Sequence, residues 1–308
     1  MKKKFFDLNL KFCPCCKEKK SKFLGMRGGK YQRDGLGIES KIFQCEICSV
    51  IYPNPFPIPE SLESLYGNPE QYFLGKGDWY NRAKSYEKIV EKFIKLINKK
   101  RNIELLDIGS GRGEFVKAAL SFPQVNCTGI EVSKGSIDFA KKKKIKIYYK
   151  SLTELINEGK TFDGICLNAV LEHVHNPLGF ISKVKKLLKT SGIIYIDCPN
   201  EPNLLTIIGN FLNKILRNKS VYNLQPTWEP YHVFGFNPKA LTVLLNKNNI
   251  KITEILIHGN PYVPFSGGIK DWIKTTLAIF IQTLANLISL GNNMYVWGIK
   301  IDPKLKKN

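Results

Sequence analysis

The segment 103–115 constrains the fold of this 308-residue chain more than any other part of its sequence. An apolar run at 103–108 is followed by glycines at 109, 111 and 113. The apolar run predicts a buried strand, and the glycines predict a sharp turn into a helix, because glycine adopts backbone angles that other residues avoid. Free N–H groups at such a helix start can bind a carboxylate or a phosphate. The segment therefore predicts a ligand site at the end of a strand.

Strands and helices alternate along the chain after this segment. Such alternation is typical of an α/β, Rossmann-like, doubly wound sheet with mostly parallel strands. The predicted strands lie at 103–108, 126–131, 145–149, 162–167, 192–197, 250–258 and 293–301. The predicted helices lie at 86–99, 113–121, 134–143, 152–157, 177–189, 204–216, 238–247 and 272–290.

Acidic residues decide which ligand the glycine turn favours. A dinucleotide fingerprint, Gly-x-Gly-x-x-Gly, requires a third glycine at the position of Glu114, and a carboxylate there is unfavourable next to a pyrophosphate. Asp107, at the end of the strand, suits a cationic amino group better than a phosphate. Glu131 ends the second strand, where an acid accepts hydrogen bonds from both ribose hydroxyls. These features favour S-adenosylmethionine (AdoMet), which carries an amino group, a carboxylate and a ribose but no phosphate.

Residues 103–200 resemble a class I AdoMet-dependent methyltransferase. The segment 105–113 resembles that family's first motif, 129–131 its ribose-binding motif, and 162–177 its fourth-strand motif. The resemblance implies a seven-stranded sheet. The third motif departs from the family's Gly-Asp, and Ser151 is the expected partner of adenine there. The AdoMet-binding residues that the resemblance implies are Asp107, Gly109, Ser110, Gly111, Gly113, Glu131, Val132, Ser151, Leu152 and Asn168.

Two CxxC pairs stand near the N-terminus, within the sequences CPCC at 13–16 and CEIC at 45–48. Paired CxxC spacing in an enzyme-sized chain indicates a metal site rather than disulfides. Four thiolates are the ligands of a closed, structural Zn²⁺ site. We predict that Cys13, Cys16, Cys45 and Cys48 bind Zn²⁺ and that Cys15 does not.

A zinc-ribbon-like β module is therefore predicted over 1–59, with short strands at 38–44 and 49–52 and a Pro-rich, extended linker at 53–59. Residues 60–308 would form the methyltransferase domain, with helical insertions near 201–230 and 262–291. The N-terminal module, together with the segment around His232, resembles methyltransferases that accompany bacterial surface-sugar and secondary-metabolite biosynthesis.

Methyl transfer depends mainly on alignment of the nucleophile, and a hydroxyl or carbon nucleophile usually also needs a base. Histidine suits that role near neutral pH. His173 follows the fourth strand, at the sheet edge where such sites lie, and Glu172 beside it could orient a histidine or bind substrate. His232 lies in an aromatic segment; His175 is predicted in a loop and His258 in an edge strand.

Aromatic side chains are candidates for the acceptor pocket. In related sugar C-methyltransferases a glutamate precedes the second histidine, where this chain has Tyr231. O- or N-methylation is therefore at least as well supported as C-methylation. The candidate pocket aromatics are Tyr72, Phe73, Trp79, Tyr80 and Tyr231.

The net charge of +21 admits nucleic acid, an anionic membrane surface or a phosphorylated substrate as a partner, and equally a Lys-rich protein with no such partner. Two apolar helices are predicted at 204–216 and 272–290; Lys274, Gln282 and Asn286 interrupt the second, so it is not predicted to span a membrane. They are expected to cap the sheet or a pocket, or alternatively to lie shallowly in a membrane interface. The N-terminus lacks the apolar run of a signal peptide, which predicts a cytoplasmic protein.

The sequence thus predicts an AdoMet-dependent methyltransferase that acts on a small acceptor such as a nucleotide-linked sugar or a surface-glycan precursor. RNA methylation is an alternative suggested by the charge and the zinc module. Methylation of a prenylated or lipid-linked substrate at a membrane surface is another, suggested by the two apolar helices. A binding module with a vestigial AdoMet site is the non-enzyme alternative.

Overall fold

The N-terminal module consists of short β-strands. A computed structural model of the protein describes residues 5–32, 35, 37–60, 78–224, 232–259 and 268–302. In the module, β2, β3 and β4 form an antiparallel sheet, and β1 pairs with β5. The strands predicted at 38–44 and 49–52 are present, whereas the end of the predicted linker is a paired strand. The strands are β1 (Phe5–Leu8), β2 (Ser21–Arg27), β3 (Ser40–Cys45), β4 (Ile51–Pro53) and β5 (Phe56–Pro59).

A seven-stranded sheet forms the centre of the remaining chain, in the order β11-β12-β10-β9-β6-β7-β8. Strands β6 to β10 are parallel, and β12 runs antiparallel between β10 and β11. The predicted Rossmann-like fold is confirmed, with an antiparallel pair at one edge. The strands are β6 (Ile103–Ile108), β7 (Val125–Ile130), β8 (Ile147–Tyr148), β9 (Phe162–Asn168), β10 (Leu188–Pro199), β11 (Ile250–His258) and β12 (Asn293–Lys300).

Helices cover both faces of this sheet. Helices α1 and α2 pack on one face around Phe93 and Phe115, while α4, α5 and α7 contribute to the apolar core on the other. Helix α1 begins earlier than predicted, because Asp78 caps it and the buried Trp79 opens it. The helix bounds are α1 (Trp79–Ile97), α2 (Glu114–Ala119), α3 (Lys134–Lys142), α4 (Leu152–Asn157), α5 (Pro177–Leu187), α6 (Leu204–Ile215), α7 (Pro238–Asn246) and α8 (Ile269–Leu287).

The N-terminal module shares its apolar core with the central sheet. Phe56 of β5 contacts Phe234, with 5.3 Å between the ring centroids. Ile51 and Gly235 exchange backbone hydrogen bonds of 3.0 and 2.9 Å. The buried guanidinium of Arg27 donates to the carbonyl of Val221 at 2.8 Å and to that of Leu224 at 3.0 Å. The module therefore packs as a fixed layer against the segments 220–224 and 233–237.

Helices α6 and α8 lie beside the carboxyl end of β10 and contact one another. The N–H of Leu204 donates to the carbonyl of Leu290 at 2.9 Å, which joins the start of α6 to the chain after α8. Helix α8 contacts the edge strand β11, and both helices keep many large apolar side chains exposed among the described residues, so capping of the sheet accounts for only part of their apolar surface. Among the residues that the structure describes, the helices are too short or too polar to span a bilayer.

Candidate active site

A cavity of about 560 Å³ opens at the carboxyl ends of β6, β7 and β9. The strand order reverses between β6 and β9, and ligands of open α/β sheets bind at such switch points. The volume is within the range of small-molecule sites. The fold therefore supplies a ligand-sized cavity at the position where the sequence predicted one.

The glycine turn forms the floor of this cavity. Gly109 has a φ of +71°, and a Cβ atom there would lie 2.6 Å from Cγ2 of Val170. The N–H groups of Gly109 and Ser110 donate to the carbonyl of Ile130 at 2.9 and 3.0 Å. The turn thus holds the end of β6 against the end of β7. Gly113, with a φ of +82°, forms the N-cap of α2 outside the cavity lining.

The carboxylate of Glu131 fastens the turn from the end of β7. Its Oε2 accepts the N–H of Gly111 at 2.8 Å. Its Oε1 accepts the N–H of Val132 at 2.7 Å and that of Ser133 at 2.9 Å. A carboxylate offers about four acceptor positions, so three backbone bonds leave capacity for a further donor from the cavity.

Asp107 is the most deeply buried acid that lines the cavity, with 2% of its surface exposed. Burial raises its pKa from the usual 3.8 to about 7; the nearby Glu131 and Glu114 add to this rise, and a hydrogen bond with Ser110 opposes it. A cationic group placed in the cavity would offset the burial cost of the ionised carboxylate.

Glu114 has partners that its sequence position does not reveal. Its Oε1 accepts hydrogen bonds from Arg112 at 2.6 and 2.9 Å, and Arg82 of α1 lies 3.4 Å from the same oxygen. These guanidinium groups offset its negative charge. A pyrophosphate is therefore disfavoured less by this charge than the sequence suggested, and more by the missing third glycine and by Asp107.

The side wall of the cavity includes the carboxyl end of β9 and the first residues of α4. Asn168 donates to the hydroxyl of Tyr86 at 2.5 Å. Ser151 caps α4: its hydroxyl donates to Glu154 at 2.7 Å and accepts the N–H of that residue at 3.3 Å. Arg82 and Tyr86 come from a helix with no recognisable motif, and sequence reasoning therefore missed them.

His173, His232 and Glu172 meet at one rim of the cavity. The rings of the two histidines lie edge to face with centroids 5.0 Å apart, and Nε2 of His173 lies 3.9 Å from Oε1 of Glu172. Backbone N–H groups of Val233 and Phe234 donate to the carbonyl of Glu172 at 2.9 and 3.1 Å. The three side chains could also hold a metal ion, since their ligand atoms lie within 4.8 Å of one another.

Most of the predicted site residues share this cavity. Gly113, Glu172 and His232 are not part of its lining. His175 lines it from a loop, and His258 lies on the edge strand β11, both as predicted. The predicted site residues in the lining are Asp107, Gly109, Ser110, Gly111, Glu131, Val132, Ser151, Leu152, Asn168 and His173.

Neither of the two predicted pocket aromatics that the structure describes lines this cavity. Trp79 is buried against Val116 and Ala140, and its indole N–H donates to the carbonyl of Arg112 at 3.1 Å. Tyr80 is exposed. The remaining three, Tyr72, Phe73 and Tyr231, lie outside the described residues.

A second cluster, of four buried cysteines, stands in the N-terminal module. The Sγ atoms of Cys13 and Cys48 are 3.6 Å apart, those of Cys16 and Cys45 are 3.5 Å apart, and all four lie within 4.8 Å of one another. Zn–S bonds of about 2.3 Å in a tetrahedron require sulfur separations of about 3.8 Å. The cluster therefore fits a tetrahedral metal ion.

Both cysteine pairs are closed by the same backbone turn. Lys17 and Ser49, the residues after the second cysteine of each pair, have φ values of 68° and 66°. The N–H of each donates at 2.9 Å to the carbonyl of the first cysteine of its pair. This repeated turn directs the sulfurs of each pair to one point.

Comparison of the sequence with known proteins identifies the family of this chain. The family described as "Methyltransferase domain" matches residues 79–255, more than half of the chain. The chain belongs to this methyltransferase family, as its glycine turn and strand order indicate.

Two curated relatives are similar over half of this chain. The ubiquinone biosynthesis O-methyltransferase of Pelagibacter ubique is 31% identical over 168 residues, which are 50% of this chain and 64% of that protein. The mitochondrial ubiquinone biosynthesis O-methyltransferase of Dictyostelium discoideum is 27% identical over 169 residues, 50% of this chain and 51% of that protein. The match thus spans between half and two thirds of their length.

Solved structures are similar at lower identity. The structure of a SAM-dependent methyltransferase from Archaeoglobus fulgidus is 18% identical, with a TM-score of 0.48 over 78% of this chain and 100% of that chain.

The raised pKa of Asp107 predicts that the stability difference between wild type and Asp107→Asn depends on pH. The unfolded carboxyl loses its proton near pH 4, whereas the folded one keeps it until about pH 7. The folded state binds more protons between these values, so Asp107 lowers stability as the pH rises through this window. We expect Asp107→Asn to gain stability relative to wild type as the pH rises from 4 to 7.5, by up to about 4 kcal/mol.

Urea unfolding at several pH values measures this difference. Asp163→Asn is the control, because a lowered pKa confines its pH-dependent contribution to values below about pH 4, and its stability difference from wild type should stay nearly constant from pH 4 to 7.5. The pKa of Asp163 is lowered because the N–H of Glu104 and the ammonium groups of Lys189 and Lys99 outweigh its desolvation. A constant difference between Asp107→Asn and wild type over this pH range would contradict the prediction.

Proposed function

We propose that the protein transfers a methyl group from AdoMet to a small-molecule acceptor, with the donor held in the cavity at the ends of β6, β7 and β9. The observation that carries this proposal is the pair of buried acids, Asp107 and Glu131, at the ends of adjacent strands on either side of the glycine turn. Membership of the methyltransferase family supports it.

Each part of AdoMet has a matching group in the cavity. Asp107 would accept hydrogen bonds from the amino group. The N–H groups at 109–111 already donate to Ile130 and Glu131, so the guanidinium of Arg82, which lines the cavity, is the group that would attract the carboxylate. The remaining capacity of Glu131 suits a ribose hydroxyl. Ser151 already uses its hydroxyl proton on Glu154, but the oxygen keeps one lone pair that could accept from the adenine amino group. The bound sulfonium would supply the electrophilic methyl group.

Calorimetry with S-adenosylhomocysteine tests the donor site, because this product retains the amino, carboxylate, ribose and adenine groups. We expect wild type to bind it and Asp107→Asn and Glu131→Ala each to bind at least about tenfold more weakly, since each loses a charged hydrogen-bond acceptor. Glu104→Gln is the matched control, because Glu104 lies on β6 and accepts from Asn126 outside the cavity. Absent binding by wild type, or equal binding by all four proteins, would exclude the proposed site.

The acceptor is proposed to be a hydroxylated small molecule. The curated relatives are named O-methyltransferases of ubiquinone biosynthesis, which favours oxygen as the methylated atom. The nucleotide-sugar or glycan acceptor predicted from the sequence finds no support in these relatives. An alcohol or phenol nucleophile would need a base at the cavity rim.

His173 is the proposed base, because among His173, His232 and Glu172 it is the residue that lines the cavity. Its imidazole would take the hydroxyl proton as the acceptor oxygen attacks the methyl carbon and the sulfonium leaves as a thioether. His232, edge to face with His173, is the proposed positioning residue for this ring. Glu172 would favour the protonated imidazole after the transfer.

Substitution of the rim histidines separates these roles. With 3,4-dihydroxybenzoate as the probe acceptor, we expect His173→Gln to lower kcat by about 10²–10⁴-fold, the usual contribution of a general base, with unchanged affinity for S-adenosylhomocysteine. His232→Gln should cost less and shift the pH profile, because the base remains but its surroundings change. His258→Gln, on the edge strand β11, is the control. Equal kcat for His173→Gln and His258→Gln would contradict the assignment.

We propose further that Cys13, Cys16, Cys45 and Cys48 bind one structural Zn²⁺. All four sulfurs are buried and close together, and no open ligand position is needed for a structural site. Cys15 is buried in the same turn but stands outside the four-sulfur group, which agrees with a role in packing. Metal binding would stabilise a module that has only short strands of its own.

Metal analysis of the purified protein tests this assignment. We expect one zinc per chain in wild type and in Cys15→Ser, and less than about half of that in Cys13→Ser and Cys45→Ser, because three thiolates bind zinc more weakly than four. Cys15→Ser is the matched control, as it removes a buried thiol from the same turn. Equal zinc content in Cys15→Ser and Cys13→Ser would reject the assigned ligand set.

A further inference from the structure

Helices α6 and α8 leave most of their described large apolar side chains exposed, unlike an ordinary surface helix. In α6 the buried side chains are the polar Thr206 and Asn213. Asn213 donates to the carbonyl of Ser220 at 2.8 Å, which satisfies its buried amide. On α8 the buried side chains include Gln282 and Ala285. An amphipathic helix normally buries its apolar face against the core, so packing among the residues that the structure describes does not explain the two helices.

The side chains that α6, α8 and the residues after them expose are large and apolar. Phe211 and Trp272 are each 63% exposed, and Leu287 is 78% exposed. About half of the large apolar side chains that are exposed in the described ranges lie here, and a concentration of this kind marks an interaction surface. We call this surface the apolar face: Ile207, Phe211, Leu212, Ile215, Leu216, Trp272, Ile273, Leu277, Ile279, Phe280, Leu284, Leu287 and Ile288.

Basic residues border the apolar face and decide what can cover it. Lys214, Arg217 and Lys219 are exposed on α6 and directly after it, and the segment 203–219 contains no acidic residue. The whole chain carries a net charge of +21. Two copies that met through this face would bring like charges together, whereas an anionic surface would attract it. The charge pattern therefore favours an anionic partner over a second copy of the chain.

We propose that the apolar face docks on the surface of a bilayer that contains anionic lipids. An apolar face with Trp, Phe and Leu beside basic residues is the pattern of helices that lie in the membrane interface without crossing it. The large apolar side chains would enter the acyl boundary, and Lys214, Arg217 and Lys219 would contact the anionic headgroups.

Docking in this way places the cavity near the bilayer. Helix α6 begins at Leu204, five residues after the end of β10, at the same edge of the sheet as the carboxyl ends of β6 and β9. The proposal goes beyond the proposed methyl transfer, because the apolar face and the cavity use different residues. Either can therefore fail without the other.

Vesicle co-sedimentation of the full chain tests the apolar face. The probes are vesicles of phosphatidylcholine with one quarter phosphatidylglycerol, and vesicles of phosphatidylcholine alone. We expect wild type to sediment with the anionic vesicles and to bind the neutral ones at least about tenfold more weakly, because the basic border contributes to binding. The variant Leu216→Ser/Leu287→Ser should lose at least about tenfold in binding to the anionic vesicles, since it removes apolar area that enters the membrane.

Matched variants exclude general effects of substitution. Leu120→Ser/Leu256→Ser changes two leucines that are 52% and 53% exposed elsewhere, and should bind like wild type. Lys214→Glu/Arg217→Glu should weaken binding to anionic vesicles, while Lys117→Glu/Lys247→Glu, with two exposed lysines outside this surface, should weaken it less. Calorimetry with S-adenosylhomocysteine should give the same affinity for the leucine variants and wild type, which reports folding and the donor site separately.

Three results would overturn the proposal. Wild type that stays in the supernatant with anionic vesicles would do so, and so would equal binding by the two leucine variants. Light scattering that shows a wild-type dimer, dissociated by Leu216→Ser/Leu287→Ser, would assign the apolar face to a second copy instead.

Discussion

The geometry of the site depends on the backbone hydrogen bonds that the carboxylate of Glu131 accepts. This carboxylate binds three backbone N–H groups, one from the glycine turn and two from the chain after β7. Hydrogen bonds to a charged acceptor are stronger than those between neutral groups, and burial strengthens them further. The turn is consequently held open at a fixed distance from β7 without a ligand. Asp107, on the adjacent strand, remains buried there, and its raised pKa of about 7 makes its ionised form costly until a cation enters the cavity.

The second determinant is the way in which the N-terminal module supports the rim of the cavity. Ile51 is paired with Gly235, and two residues just before Gly235 donate to the carbonyl of Glu172. Phe56 contacts both Phe234 and His175, at 5.3 and 5.5 Å between ring centroids. A continuous set of contacts thus joins the cysteine cluster to the histidines at the rim. The cysteines thus belong to the packing behind the cavity rim, while none of them lines the cavity.

The sequence was most informative where one local pattern determines one local structure. The glycine turn, the strand that ends at Asp107 and the two CxxC pairs were located correctly because each depends on residues adjacent in the chain. Arg82 and Tyr86 were missed, because nothing local distinguishes two polar positions of a long helix that happen to face a cavity. The pairing of Phe56–Pro59 with Phe5–Leu8 was missed for a related reason: strand pairing across some fifty residues leaves no periodic signal in a Pro-rich segment. Glu114 was interpreted only as a carboxylate unfavourable to a pyrophosphate; its contact with the neighbouring Arg112 was overlooked, and its contact with Arg82 comes from another helix and leaves no local signal.

The shared core between the N-terminal module and the sheet has a consequence for how such a chain can change during evolution. The family match begins at residue 79, after the module, yet Val50, Tyr52 and Phe56 lie in the same buried cluster as side chains of β9 and β10. Deleting the module would expose apolar surface around Phe234 and leave the N–H of Gly235 without its strand partner. The module thus covers apolar surface of the sheet domain as a bound subunit would. If it were lost, that surface would need new polar residues or another protein to cover it. Substitutions on the two sides of this boundary are therefore expected to be selected together.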